Sequence, residues 1–120
     1  MNNLAHKENY AFKFNDIAYE EMLEAASLLA KSTTATYGAK FIIPVEAAAF
    51  LVRENPNIGR NLDEEPLIQW IKVPNYNYKL FFVNIEEELE VIAIAVHHNN
   101  RDYLKLLPKL IARAKLDGLL

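Results

Sequence analysis

The sequence predicts an α+β fold: a small antiparallel sheet covered by an N-terminal helical hairpin, in the order β-α-α-β-β-β, closing on a helical segment. Three observations carry this. Residues 9–15, NYAFKFN, alternate, with Tyr10, Phe12 and Phe14 on one face. Between residues 16 and 52 the apolar residues switch to helical spacing. Residues 67–97 then hold three short apolar runs separated by turn signals.

The elements follow in order. Asn15 or Asp16 can cap a first helix through about Lys31, its side-chain oxygen accepting a free backbone N–H, with Ala18, Met22, Ala25 and Leu29 as the buried stripe. The run Ser32–Thr36 is a connection. A second helix aligns Tyr37, Phe41, Val45, Ala48 and Val52, with a kink expected where Pro44 removes a hydrogen bond. Asn55-Pro56-Asn57-Ile58-Gly59 ends it. Strands Leu67–Val73 and Tyr78–Ile85 flank a turn at Pro74–Asn77, and Glu86–Glu88 forms a solvated tip. The third strand runs from Leu89 to about His97. Its apolar residues do not alternate with polar ones, which places it at the sheet centre, covered on both faces. From Asp102 to Leu116, Leu104, Leu107, Ile111 and Ala114 have helical spacing, and Pro108 kinks or starts that helix.

At 120 residues the chain has room for one domain, spanning 1–120. It has no cysteine, which excludes disulfides, thiolate metal sites and cysteine nucleophiles. No cofactor motif is present. The N-terminus lacks the blocks of a signal peptide, and no apolar run approaches the roughly 20 residues of a membrane span, so a cytoplasmic protein with no membrane contact is expected. The formal charge of −3 does not suit a general nucleic-acid binder. The charge is unevenly spread: residues 1–96 carry 8 Lys+Arg against 14 Asp+Glu, and residues 97–120 carry 5 against 2. The basic segment opens abruptly, where the apolar VIAIAV meets HHNNRDY.

Two long stretches now carry a resemblance. EEMLEAASLLAKSTTATYGAKFIIPVEAAAFLVRENPNIGR has an alanine-rich helix, a Gly-Ala-Lys-Phe opening to the second helix, and a closing Asn-Pro…Gly-Arg. YKLFFVNIEEELEVIAIAVHHNNRDY ends in His, two further residues, Arg and Asp. In these features, over roughly residues 9–104, the chain resembles the RelE/ParE superfamily of toxins from type II toxin–antitoxin pairs, and looks closest to the ParE, or plasmid-stabilisation, branch. The resemblance implies a RelE/ParE-like fold and a small, acidic cognate antitoxin as partner. It further implies inhibition of DNA gyrase without known nuclease chemistry, as in the ParE branch. The alternatives are ribosome-dependent mRNA cleavage, as in the RelE branch, or a degenerate toxin that retains only antitoxin binding.

Metal-free RNA cleavage needs a group to take the 2′-hydroxyl proton, one to protonate the leaving oxygen, and cations to steady the charge on phosphorus. The candidates are Lys72, Lys79 and Arg101 as cations, His97 and His98 as proton carriers, and Tyr103 for stacking or a hydrogen bond. Of these only Lys72 matches the RelE pattern unchanged; Asn99 stands where an arginine is expected and Lys105 where a tyrosine is expected. The plain alternative is structural. Adjacent histidines on a strand point to opposite faces, one tucked against a helix and the other exposed. Asn99-Asn100 then turns the chain out of the sheet, and Arg101 and Asp102 pair with each other or with helix ends. For partner binding, Arg101, Lys105, Lys109 and Arg113 recur every four residues, a basic row that an acidic antitoxin segment can wrap. The alternative there is a solvated helix face. No closed metal-ligand spacing exists, although His6, His97 and His98 are available.

Overall fold

The computed structural model describes residues 10–99 and 103–120, and of Tyr103 and Leu104 the backbone alone. The expectations attached to His6, Arg101, Asp102 and the Tyr103 side chain lie outside the described residues. Strand β1 (Ala11–Phe14) leads into helix α1 (Asp16–Ser32). Helices α2 (Ala35–Ala39) and α3 (Ile42–Glu54) follow, then strands β2 (Arg60–Asn61), β3 (Ile68–Lys72) and β4 (Tyr78–Ile85). A single 3-10 turn at Glu86–Glu88 joins β4 to β5 (Glu90–His98), and helix α4 (Tyr103–Leu116) closes the chain. The class is α+β, as the patterns predict.

The five strands lie in the order β1-β5-β4-β3-β2. The three contacts among β2 to β5 are antiparallel, but β1 joins β5 in parallel, pairing Ala11 with Glu90 through to Phe14 with Ala93. The sheet is therefore mixed, where the sequence suggested a wholly antiparallel one. Alternation fixes which face a strand buries and says nothing of its direction. β5 is interior, between β1 and β4, and Val91, Ala93, Ile94 and Ala95 are fully buried.

Each face has its own core. On one, α1 and α3 set Ala18, Met22, Phe41, Val45 and Ala48 against Leu80, Ala93 and Val96. On the other, α4 sets Leu106, Leu107, Leu110 and Ala114 against Ile68, Phe81, Ile94 and Ala95. The α4 stripe is thus rotated from the predicted one, with Ile111 only packed alongside. Pro108 lies inside α4 and does not start it.

Asn15 caps α1 as expected, its Oδ1 accepting from the Ala18 N–H at 2.8 Å. The predicted second helix is two. It breaks at Lys40–Phe41, and Pro44 falls in the first turn of α3, where its missing N–H costs nothing, so the interruption lies upstream of the expected kink. Gly38 allows that corner: a Cβ there would stand 2.4 Å from the Ala26 carbonyl oxygen. By length and composition alone the stretch Ala35–Glu54 could cross a membrane. Its Phe41, Val45, Ala48 and Val52 are nonetheless completely buried.

Candidate functional site

β1 ends opposite Ala93, so the edge of β5 from Ile94 to His98 has no neighbouring strand among the described residues. Two long side chains take the strand's place. From α1, Glu21 Oε1 accepts the Val96 N–H at 3.0 Å. From α4, the Arg113 guanidinium donates to the Ile94 carbonyl at 3.4 Å and to Glu21 Oε1 at 3.2 Å. Its other terminal nitrogen lies 3.1 Å from Glu21 Oε2. Glu21 and Arg113 are 19% and 17% exposed, so this pair ties a helix on one face to a helix on the other around an open sheet edge.

His97 joins the cluster. Its Nε2 stands 2.9 Å from Glu21 Oε2, close enough for an ion pair on protonation, although the N–H is not aligned for a hydrogen bond. Burial opposes ionisation of Glu21, but His97, the Val96 N–H and Arg113 outweigh it and hold the carboxyl below its usual range.

Cross-strand register decides which candidates meet. Lys72 pairs with Lys79, and Lys79 with His97, so these three form one row across β3, β4 and β5 on a single face. The Lys79 Nζ sits 4.2 Å from the centroid of the Trp70 ring. Arg60, directly opposite Trp70 in β2, places its guanidinium 5.7 Å from the same ring. His98 points to the other face, where its ring meets Tyr78 edge-on at 5.0 Å. The histidines thus do not share a face, and His98 stands apart from the lysine row. Lys105 and Lys109 are exposed on α4, whereas Arg113 turns inward onto Glu21, so these three do not make one exposed row. The recess between α1 and the end of β5 holds only about 50 Å³, enough for water and no substrate. Among the described residues no three His, Asp or Glu side chains are placed to share a metal.

No family model matches the chain, and no curated protein matches it. Solved structures do. A chain of a chromosomal ParDE TA system from P. aeruginosa superposes with a TM-score of 0.65 at 11% identity, covering 78% of this chain and 97% of that one. An arginine-substituted E. coli RelE toxin in the free state gives 0.59 at 20% identity, covering 92% and 98%. The chain has the RelE/ParE fold. A further neighbour, from the intact E. coli RelBE toxin–antitoxin complex, gives 0.55 at 22% identity, covering 77% and 99%.

Within the RelE/ParE fold, two parts of this site escaped the sequence. Glu21 gave no signal, because one half of an acidic pair beside an apolar stripe reads as solvated surface. Trp70 did leave one: two residues from the candidate Lys72 on a strand, it must share its face.

Proposed function

We propose that this chain is the toxin of a type II toxin–antitoxin pair, neutralised by a cognate antitoxin, and that its target is RNA on the translating ribosome. The observation that carries the choice of target is the row Lys72–Lys79–His97, with Arg60 alongside. It gathers three cations and one proton carrier on one sheet face, the parts that metal-free phosphodiester cleavage requires. Lys72 and Lys79 would meet phosphate oxygens, and His97, oriented by Glu21, would move the proton. Arg101 and Tyr103 remain proposed participants in cleavage, and Lys105 and Lys109, with Arg101, remain the proposed antitoxin contacts, while Arg113 is held inward by Glu21 and His98 lies on the other face. Fold kinship with toxins solved as ParDE and RelBE pairs supports the partner. The cytoplasm is the compartment this function needs.

A second reading, binding of DNA gyrase without cleavage in the manner of a plasmid-stabilisation toxin, is favoured by the ParDE superposition and by the hold on His97 of Glu21, itself paired with Arg113. The two part cleanly in experiment. Induction of the chain alone should arrest growth, and co-expression with the small neighbouring partner should relieve it. Primer extension should then show cut mRNA that is lost in Lys72→Ala. Intact mRNA with inhibited plasmid supercoiling by gyrase would establish the second reading instead.

A further inference from the structure

We infer that Trp70, flanked by Arg60 and Lys72, is a base-stacking subsite for single-stranded RNA beside the lysine row, an inference that rests on RNA being the target. Trp70 is half-buried: it packs against the α4-side core while Arg60 and Lys79 lie over its ring. Among the strands α4 packs chiefly against β5, and β2, which borders Trp70 on the other side, is exposed at both Arg60 and Asn61. Arg60 faces Trp70 across the β2–β3 ladder, and Lys72 projects from the same face two residues further along β3. Both cations are exposed, and neither has a carboxylate partner among the described residues, whereas Lys13, Arg53 and Arg113 each have one.

The two cations over the ring suggest how the subsite works. A cation resting on an accessible ring is held weakly compared with a stacked base whose phosphate is paired. A strand of RNA would draw Arg60 outward onto a phosphate and leave the indole for a base. An acidic peptide would satisfy the cations and leave the ring without a planar partner, so the arrangement favours a nucleic acid. The hollow of about 590 Å³ beside β1 is bordered by Asp16, Glu88, Glu90 and Asp117 against the single cation Lys13, the wrong balance of charge for such a ligand.

Trp70 is the only tryptophan in the chain, so its fluorescence reports on the subsite directly. The probe is a 2′-O-methyl oligouridine, which cannot be cleaved through its 2′-oxygen, titrated into the full chain. Saturable quenching is expected. Arg60→Ala together with Lys72→Ala, both exposed positions, should lower the salt slope by about 1.4 for two lost phosphate contacts on a single strand. In Trp70→Phe, binding followed by anisotropy of the labelled oligonucleotide should weaken by about threefold or more. No quenching, or equal quenching by polyglutamate, would overturn the subsite. Binding without mRNA cleavage would keep the subsite and remove the nuclease. Undiminished mRNA cleavage by Arg60→Ala and Trp70→Phe chains that bind no oligonucleotide would remove the subsite and keep the nuclease.

Discussion

The two halves of β5 solve one problem in different ways. Val91–Ala93 is flanked by β1 and β4, so the backbone groups on both edges meet other backbone groups. Among the described residues Ile94–His98 keeps β4 on one side only, and on the other the Val96 N–H and the Ile94 carbonyl are met by the Glu21 carboxylate and the Arg113 guanidinium. A strand neighbour is insensitive to pH and salt. A side-chain neighbour is charged, and it couples that edge to whatever moves α1, α4 or His97. The half of the strand that leads to the candidate site is therefore the half whose edge is electrostatic.

The largest effect lies in the apolar packing that both halves of β5 share. Ile94 is fully buried between β4 and α4. Ile94→Ala should cost about 3 kcal/mol, read as a lower urea midpoint at unchanged slope. A loss below about 1 kcal/mol would mean that the second half is not packed as described. Glu21→Ala comes next. It strips the Val96 N–H of its acceptor and leaves Arg113 without its counter-charge, at a cost of about 2 kcal/mol, since the pair is not fully dry. Hydrogen exchange sharpens the contrast: the Val96 amide should exchange faster in this variant while amides in the paired half, such as Ala93, keep their protection.

The same contrast explains what was legible in the sequence. β4, β5, α1 and the turn after Val73 could be read because burial on a periodic scaffold leaves a periodic trace. The break at Lys40–Phe41 could not, since it depends on Gly38 lying against α1, a contact between residues 8 or more apart. The parallel entry of β1 was hidden because a four-residue strand looks the same in either direction. At the site, Lys72, Lys79 and His97 were each recognisable as chemistry-bearing, but only the register that pairs them showed that they form a row without His98. Glu21 was invisible for a deeper reason. Its role comes from the edge that β1 fails to cover, and a missing neighbour leaves no mark on the residue that replaces it.

Smaller effects follow from the charge on Glu21. Its carboxyl is held below its ordinary value of 4.5, so ionised Glu21 stabilises the fold above that pH, and the contribution is lost as pH falls through the lowered value. Glu21→Gln keeps an acceptor for Val96 but lacks the charge. It should be less stable than the parent by about 1 kcal/mol at pH 7, and the difference should close as pH drops below 4.5. A difference that stays constant from pH 7 to pH 3 would show that the carboxylate's charge plays no part in the latch.

The finest test leaves charge untouched and alters only its shape. Arg113 spans two acceptors at once, Glu21 and the Ile94 carbonyl, which an ammonium on a shorter reach cannot do in the same geometry. Arg113→Lys should therefore cost only about 0.5 kcal/mol, because the ion pair with Glu21 survives in part. Its specific signature lies at the edge: the Ile94 carbonyl loses its donor, and His97 loses the fixed position of the carboxylate beside it. Under the RNA reading, mRNA cleavage should fall by more than the stability loss accounts for. Cleavage unchanged in Arg113→Lys, with the fold equally stable, would separate the latch from the lysine row and confine it to closing the sheet edge.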